Sequence, residues 1–308
     1  MNCIGTEDVL KKWGIEENQK NEKAPLVKVI DNAIMTVDGC LDENRQIVKE
    51  SLCFRGVENQ LIGRQPKVNI NVNNEVEEAY FIGFASKHWG HYLTETLARC
   101  HQLGDKRIFS VFYAGNISRV QKLFPQHQYT KIKENFLVKK LYIPIPSMVN
   151  RLKVSLEHID FCRKCGDLYG RDYAPSKKLY LSRTALPRGY RWIEAEVELE
   201  SMLEKHGWKI VHFSKIPVSR QIGLLENANF VAGCIGSAFH NLMMTRKNPG
   251  KVIYLSDNNP NPNYALHDFI LNNQSAYLLC QEETNKAQRQ TKIIDPKAVL
   301  EYLQDTSI

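Results

Sequence analysis

The segment Phe230-Val-Ala-Gly-Cys-Ile-Gly-Ser-Ala-Phe-His-Asn241 contains the strongest local structural signal in the chain. Its first residues predict a buried strand, its glycines predict a tight turn, and Ser237–Thr245 predicts a helix after the turn. Gly233 and Gly236 let the backbone approach a ligand, and a helix that starts there offers free N–H groups to a phosphate. Such turns also occur simply to pack a helix on a sheet, so both interpretations remain open at this point.

Strands and helices alternate on both sides of this turn. The predicted strands are Leu179–Ser182, Lys209–Phe213, Phe230–Ala232 and Val252–Leu255, and the predicted helices are Trp192–His206, Pro217–Asn227 and Ser237–Thr245. Single helices between strands are typical of a parallel sheet with right-handed crossovers. The C-terminal half is therefore predicted to be an α/β domain.

The N-terminal half has a looser pattern. Its first 25 residues are polar and basic and predict an arm or a surface helix. The predicted strands are Val27–Ile30, Ile34–Val37, Tyr80–Phe84, Ile108–Tyr113 and Leu141–Pro144, and the predicted helices are Trp89–Gln102, Ile117–Phe124 and 152–168. A polar linker around Tyr173 is the predicted boundary between domains 1–172 and 173–308. We expect two Rossmann-like α/β domains that face a cleft, with the option that the last helix packs back on the first domain.

Composition excludes several classes of protein. The chain has 308 residues, 43% of them apolar and 24% charged, which excludes a disordered or collagen-like chain. The net charge of +7 favours anionic partners such as phosphates, nucleotides or an acidic membrane surface. Nucleic acid is not an expected partner, because the basic residues are scattered and no arginine-rich tail is present.

The cysteines and the apolar segments predict a cytoplasmic protein without a membrane span. Eight cysteines have irregular spacing, and the Cys162–Cys165 pair has no matching ligands nearby for a zinc site. The N-terminus lacks the pattern of a secretory signal, so reduced thiols are expected. The uncharged stretch Asn227–Thr245 approaches the length of a bilayer helix, but its glycines predict a strand followed by a helix. The chain also lacks an Asp-x-Asp motif, a Walker pattern and a Gly-x-Ser-x-Gly elbow.

Two further groups of residues are candidates for chemistry. Arg183 and Arg191 follow the carboxyl end of a predicted strand, where open α/β sheets bind ligands and where arginines can neutralise a diphosphate. A solvated basic loop is the alternative. The Glu-rich helix that follows is predicted to be mostly a solvent face, with one carboxylate able to reach a ribose hydroxyl. His91 and Glu95 are four residues apart on one helical face, and such a pair can serve as a general base or occur by chance.

Taken in order, these segments resemble the glycosyltransferase 61 family, which was long a domain of unknown function. The matching segments are Trp89-Gly-His-Tyr-Leu-Thr-Glu95, Leu181-Ser-Arg183, Arg191 with Glu196, Gln221-Ile222, and Gly233-Cys-Ile-Gly-Ser-Ala-Phe-His-Asn241. The family patterns are N-x-G-H-x-x-x-E, a strand that ends in Ser-Arg, an Arg…Glu helix with Gln-Ile, and G-x-x-G-S/A-A-x-x-N. The resemblance extends over roughly residues 78–256.

The chain departs from the family pattern at two positions. Many members have a histidine before the second glycine, where this chain has Ile235, so His240 is a candidate to replace that contact. The usual Asn before the helix glutamate is Ala195 here, which weakens any claim on that subsite.

The resemblance implies an inverting enzyme of the two-domain GT-B type that uses a nucleotide sugar, mostly UDP-linked, and a hydroxyl acceptor. It implies His91 as the base, with Glu95 either orienting it or acting as the base itself. The residues implied on the donor side are Ser182, Arg183, Arg191, Gly236, Ser237, Ala238, His240 and Asn241. No cofactor or metal is expected beyond the donor substrate, which agrees with the missing Asp-x-Asp motif.

The resemblance also implies a role in bacterial capsular or surface polysaccharide synthesis, with a glycan or lipid-linked glycan as acceptor. The expected location is the cytoplasm, and the net charge suits a peripheral contact with an anionic membrane. Two other classes of function stay open. One is a GT-B-like sugar-nucleotide epimerase or pyruvyl transferase, and the other is a non-catalytic subunit that binds a nucleotide sugar.

Overall fold

The computed structural model describes residues 2–16, 26–104, 107–111, 117–187, 192–285, 288–292 and 295–306. The chain forms two compact units. The N-terminal unit is Ile15–Cys162, and the C-terminal unit combines Met1–Gly14 with Arg163–Ile308. These units differ from the predicted division at residue 172, because the first residues join the C-terminal unit and the boundary falls inside a helix.

The described elements define a mixed α/β protein, as predicted. The strands are β1 Cys3–Gly5, β2 Val27–Thr36, β3 Gly39–Leu41, β4 Cys53–Arg55, β5 Gln60–Ile62, β6 Asn74–Phe84, β7 Ile108–Val111, β8 Tyr129–Lys131, β9 Phe136–Pro144, β10 Met148–Val149, β11 Lys153–Val154, β12 Lys178–Leu181, β13 Trp192–Glu194, β14 Lys209–Val211, β15 Phe230–Cys234, β16 Lys251–Ser256, β17 Ser275–Leu279, β18 Gln281–Asn285 and β19 Gln288–Lys292. The α-helices are α1 Thr6–Lys12, α2 Trp89–His91, α3 Ile117–Leu123, α4 Leu156–Tyr169, α5 Glu196–Lys205, α6 Val218–Glu226, α7 Pro262–Leu271 and α8 Pro296–Asp305. Shorter 3₁₀ segments are Lys49–Ser51, Leu97–Arg99, Phe213–Lys215 and Ser237–Met244, and Tyr92–Thr96 is a π-helix.

The C-terminal unit contains the parallel sheet that the alternation of strands and helices predicted. Its strand order is β1-β17-β16-β15-β12-β14, and every neighbouring pair is parallel except β1 with β17. A hydrophobic core that includes Tyr180, Ile253 and Leu278 lies against α5 and α8. Parallel sheets of this kind bind ligands at the carboxyl ends of their strands.

The N-terminal unit contains a mixed sheet. Its strand order is β3-β2-β9-β6-β7-β8. Strands β9, β6, β7 and β8 run parallel to one another, whereas β2 is antiparallel to both β3 and β9. The antiparallel β2–β3 edge departs from the all-parallel sheet of a Rossmann-like domain.

Both ends of the chain pack on the C-terminal unit. The predicted N-terminal arm is a strand and a helix: β1 extends the sheet beside β17, and Val9 and Leu10 of α1 are fully buried. The last helix does not follow the expectation that it packs on the first domain. Its residues Val299, Leu300 and Leu303 join the core of the C-terminal unit, because the apolar face of α8 lies against α5.

The uncharged stretch 227–245 forms β15 and a 3₁₀ segment, as its glycines predicted. Across the described residues, no helix has both the length and the apolar content needed to cross a membrane.

Candidate active-site residues

The first candidate site lies in the N-terminal unit, where the chain leaves β6. The sequence predicted one continuous helix from Trp89 to Gln102, but the structure has α2, the π-helix and a 3₁₀ turn in succession. Thr96 fixes this segment on the end of β6, because its Oγ1 donates to the Phe84 carbonyl at 3.0 Å and accepts from Ser86 N at 3.0 Å. π-Helical turns often occur at functional sites.

His91 and Glu95 are in contact, as their spacing predicted. His91 Nδ1 lies 3.2 Å from Glu95 Oε2. The other carboxylate oxygen, Oε1, accepts from Arg55 Nε at 2.7 Å and from Asn150 Nδ2 at 2.5 Å. Arg55 Nη2 lies 2.5 Å from the same Oε1 and 3.2 Å from His91 Nδ1. Glu95 therefore sits between a histidine on one oxygen and two fixed donors on the other.

These contacts decide the protonation of the pair. Burial by itself raises the pKa of Glu95, but the hydrogen bond and charge of His91 and those of Arg55 hold it below its ordinary value. Because Glu95 is then an ionised acceptor, His91 Nδ1 donates to Oε2, and its Nε2 becomes the basic nitrogen. Arg55 Nη2 cannot donate to Nδ1 in that tautomer, so its hydrogen bonds go to Glu95.

Two residues of this site, Arg55 and Asn150, were not predicted from the sequence. Arg55 ends β4, one strand of a short hairpin, and Asn150 follows β10 almost a hundred positions later in the chain. The Gly56 amide donates to the Asn150 carbonyl at 2.8 Å, which holds the two segments together. Only tertiary structure brings these side chains to Glu95, so no local pattern could have identified them.

A cavity of about 460 Å³ lies beside Glu95 within the N-terminal unit. Glu95, Arg99 and Asn150 contribute polar groups to its lining. The Arg99 guanidinium is buried and donates to the carbonyls of Glu50 and Pro144 at 2.8 Å and of Leu52 at 2.9 Å. Arg99 therefore fixes the backbone segments that form the cavity wall.

The second candidate site lies in the C-terminal unit, directly after β12. Ser182 Oγ donates to Glu200 Oε1, and Thr184 Oγ1 donates to the same oxygen at 3.1 Å. The Arg183 amide donates to Glu196 Oε1 at 3.2 Å, and Tyr180 OH donates to it at 3.1 Å. The predicted solvent face of the Glu-rich helix is thus wrong for Glu196, which is 2% exposed, and Glu200 holds the loop after the strand.

The carboxyl group of Glu196 is in an unusual state. Burial and, to a smaller extent, the charge of Glu200 together raise its pKa to about 7, against the lowering effect of the hydrogen bonds from the Arg183 amide and Tyr180. Ala195, at the N-cap of α5, has φ +62°, a left-handed conformation that Asn and Gly tolerate better than Ala. The Asn that is usual at this position in the family pattern therefore has a conformational explanation.

Arg183 lies against the glycine turn, as predicted. Its Nη1 donates to the Ile235 carbonyl at 3.2 Å, and its Nε is buried without a partner among the described residues. A Cβ on Gly236 would lie 2.5 Å from Arg183 Nη1, so a larger residue there would displace the guanidinium from its present position. Ser237 is exposed and Ala238 is half-buried at the start of the following segment. The turn thus offers a cation and backbone N–H groups together.

The side chains of His240 and Asn241, both predicted on the donor side, are buried in the C-terminal unit. The His240 ring stacks on Tyr264 with centroids 4.6 Å apart, and its Nδ1 lies 3.4 Å from His267 Nδ1. Asn241 is fully buried and donates from Nδ2 to Gln221 Oε1 at 2.5 Å. The segment is also 3₁₀ rather than α-helical. Asn241 and Gln221 therefore position the turn by packing α6 against it.

The structure thus brings Ser182, Arg183 and Gly236 together in one unit and His91 with Glu95 in the other. Arg191 lies outside the described residues. Among those that are described, no cluster of three His, Cys, Asp or Glu side chains could hold a metal ion.

The model of the glycosyltransferase 61 family matches residues 89–253, more than half of the chain, and this range includes the His91–Glu95 pair and the Arg183 turn. The comparison with curated proteins finds no match.

The solved structures that are similar to the chain include two of the same protein, TibC. One is a bacterial iron-containing dodecameric glycosyltransferase, TibC, from enterotoxigenic E. coli, at 12% identity with 76% of this chain and 80% of that chain covered. The other is dodecameric iron-containing heptosyltransferase TibC in complex with ADP-D-beta-D-heptose, at 13% identity with 79% and 80% covered. The TM-score is 0.32 for each, too low for any argument about this chain.

Proposed function

The chain belongs to the glycosyltransferase 61 family, and on that premise we propose that it is an inverting transferase of the GT-B type. It moves a sugar from a nucleotide sugar, UDP-linked, to a hydroxyl of a glycan or lipid-linked glycan in capsular or surface polysaccharide synthesis. The observation that supports this most is the family match over residues 89–253, which includes the His91–Glu95 pair and the Arg183 turn.

On the donor side, Arg183 and the N–H groups of Ser237 and Ala238 hold the diphosphate. Arg183 supports this role because its Nε is a buried donor without a partner among the described residues. A phosphate oxygen would satisfy such a donor and gain a charge-assisted hydrogen bond. The side chains of Ser182 and Asn241 are hydrogen-bonded to Glu200 and Gln221. We therefore assign them the role of positioning the backbone around the diphosphate.

On the acceptor side, His91 is the base and Glu95 orients it. The acceptor oxygen forms a bond to the anomeric carbon, and the bond from that carbon to the diphosphate breaks with its electron pair leaving on the diphosphate. His91 Nε2 takes the hydroxyl proton, and the Glu95 carboxylate stabilises the imidazolium that forms. Glu95 is the weaker candidate for the base, because its lowered pKa reduces its basicity and both of its oxygens are occupied.

No step in this scheme uses a metal ion, so we expect catalysis to be metal-independent. We also propose a cytoplasmic location with a peripheral contact to anionic membrane, supported by the net charge of +7. Co-sedimentation with vesicles that contain anionic lipid tests the contact, and equal binding to neutral vesicles would contradict it.

A thermal-shift panel of UDP, GDP, CMP and their sugar conjugates, with and without EDTA, tests the donor site. A ligand that binds only the folded state raises its melting temperature. We expect UDP and its sugar conjugates to raise the melting temperature by the same amount with and without EDTA. In Arg183→Ala, the nucleotides should not raise the melting temperature.

Arg246→Ala is the matched control, because Arg246 is an exposed arginine of the same unit, paired with Asp167. Loss of the shift in both variants, or a shift that persists in Arg183→Ala, would contradict the proposed phosphate site. A product assay with donor alone separates an epimerase from a transferase. A protein that binds UDP but releases no nucleotide with any acceptor would be a binding subunit.

A further inference from the structure

The cavity beside Glu95 in the N-terminal unit has no role in the scheme proposed above. Besides its polar groups, its wall includes apolar side chains from two separate segments, namely Leu52, Phe54, Ile145, Met148, Val149 and Leu152. We propose that this cavity binds the acceptor, and that the acceptor class is a glycoside with an apolar aglycone close to the reactive hydroxyl. The inference rests on the proposed function and specifies the acceptor that the function leaves open.

The position of the cavity supports this assignment. Glu95 and Asn150 line it and are hydrogen-bonded to each other at 2.5 Å, so one region of the wall is polar and adjoins the proposed base. Sugar hydroxyls need partners there, because an unpaired buried hydroxyl is costly. An ionised carboxylate has about four acceptor sites, so Glu95 can accept a hydrogen bond from a sugar hydroxyl in addition to its present ones.

The polar part of the lining also includes Lys49, Glu50, Asn59 and Lys153. The apolar part of the wall does not suit a bare sugar. A sugar ring has a hydroxyl on most of its carbons, and apolar side chains such as Phe54 and Met148 would leave those hydroxyls unpaired. An alkyl or aryl aglycone gains free energy from the same contacts as it leaves water. The mixture of a polar region and an apolar wall therefore favours an acceptor with both characters.

The cavity is also preformed. Arg99 ties together the carbonyls of Glu50, Leu52 and Pro144, and the Gly56 amide binds the Asn150 carbonyl. Both segments of the wall are thus fixed by hydrogen bonds before a ligand arrives. Preorganisation of this kind reduces the entropic cost of binding.

Cys53 provides a direct test, because it lines the cavity and is only partly buried. The rate at which a thiol-directed reagent labels Cys53 is measured by peptide mass spectrometry with a homologous series of alkyl glycosides. Cys3 is the internal control, because it is exposed and belongs to the other unit. We expect protection of Cys53 but not of Cys3, with about fourfold tighter binding for each methylene that enters the cavity. The free sugar should not protect Cys53.

Two matched variants sharpen the test. Leu152→Asn places an amide in the apolar wall and should remove the gain with chain length, whereas Leu156→Asn changes an exposed leucine nearby and should leave it unchanged. Melting curves establish that both variants are folded. Labelling of Cys53 that no alkyl glycoside slows, or that the free sugar slows equally, would overturn the inference.

The same glycosides serve as acceptors in a transfer assay with the donor identified by thermal shift. Protection of Cys53 without sugar transfer would contradict the proposed transferase but leave the binding class intact. Transfer to free sugar and alkyl glycoside with equal kcat/KM would overturn the acceptor class and leave the transferase intact. The two proposals therefore fail by different results.

Discussion

Glu95 in the N-terminal unit and Glu196 in the C-terminal unit are both largely buried glutamates beside an arginine, yet their carboxyl pKa values move in opposite directions. Burial raises the pKa in both cases. Glu95 also contacts His91 and the Arg55 guanidinium, and the net result is a lowered pKa. Glu196 accepts hydrogen bonds from the Arg183 amide and from a tyrosine hydroxyl, and it lies near the charge of Glu200. Its pKa is raised to about 7.

The comparison teaches that the partner of a buried carboxylate decides its role. A carboxylate held by charged donors stays ionised and can orient a histidine, which is the logic of catalytic triads. A buried carboxyl group near a second carboxylate is protonated more easily. The hydrogen bond from Arg183 to Glu196 comes from the backbone amide, so the guanidinium is not used in that contact and can make the phosphate contact proposed above.

The largest expected effect is on catalysis by His91→Ala. Removal of a general base typically costs about 10²- to 10⁴-fold in rate, and we expect a loss of this size in kcat in a protein whose melting curve shows that it remains folded. His88→Ala is the matched control, because this exposed histidine lies next to His91, with ring centroids 6.2 Å apart. Equal losses in both variants, or full activity of His91→Ala, would remove His91 from the mechanism.

The second prediction concerns stability and the raised pKa of Glu196. Because the folded state holds this proton more tightly than the unfolded chain, its contribution is complete below the ordinary glutamate pKa of 4.5 and is lost as the pH rises through about 7. Each pK unit corresponds to about 1.4 kcal/mol, so this loss is roughly 3 kcal/mol.

Glu196→Gln should flatten the dependence of unfolding free energy on pH in this range, measured by urea unfolding. Some slope should persist, because burial also raises the pKa of Asp268 to about 6. Glu198 is an exposed glutamate on the same helix and provides the control. The unfolding free energy of Glu198→Gln should depend on pH as that of wild type does. A Glu196→Gln profile as steep as that of wild type would mean that this carboxyl group is ionised in the fold.

How far the sequence predicted these two regions depends on how local the signals are. The alternation around Phe230 predicted the parallel sheet correctly, because strand and helix periodicity are properties of short windows. The helix α7, which begins at Pro262, was not predicted from the sequence. A local signal was available there, since Asn261 caps the helix from its side chain and Pro262 occupies the first turn.

Other features could not be predicted from local patterns. The His91–Glu95 contact follows from a spacing of four residues, but Arg55 reaches Glu95 only through a hairpin with no distinctive sequence. His240 and Asn241 looked like ligands because they follow a glycine turn. Their burial depends on Tyr264 and Gln221, which come from other helices.

The third prediction tests the clamp on Glu95. Arg55→Gln removes the charged donor, so the remaining effect of burial should raise the pKa of Glu95 and shift the acid limb of the activity profile to higher pH. Loss of a charged hydrogen bond should also cost about 1.5–3 kcal/mol at neutral pH. A carboxyl group whose pKa is lowered in the folded state stabilises the fold at pH values above its pKa in the unfolded chain. The difference in unfolding free energy between Arg55→Gln and wild type should therefore shrink as the pH falls.

Arg55→Lys keeps the charge but not the forked geometry, and it should restore part of the stability and of the acid limb. Calorimetry across pH together with a kcat profile separates the two effects. If Arg55→Gln lost stability but kept the wild-type pH profile, Arg55 would support the fold without tuning the pair.

The smallest expected effect concerns Ala195, the position where the chain departs from the family pattern beside Glu196. Its φ of +62° is uncommon for an alanine, and Asn adopts this conformation more readily. We expect Ala195→Asn to raise the unfolding free energy by about 0.5–1 kcal/mol, with Ala195→Gly close behind, because each relieves the backbone. Nucleotide affinity should not change in either variant. If Ala195→Asn instead tightened donor binding while Ala195→Gly did not, the asparagine side chain would contact the nucleotide sugar. Ala195 in this chain would then lack that contact. If the two variants had equal unfolding free energies and equal nucleotide affinities, the whole effect would come from the backbone conformation of residue 195. Arg183 would then remain the proposed donor contact in this unit.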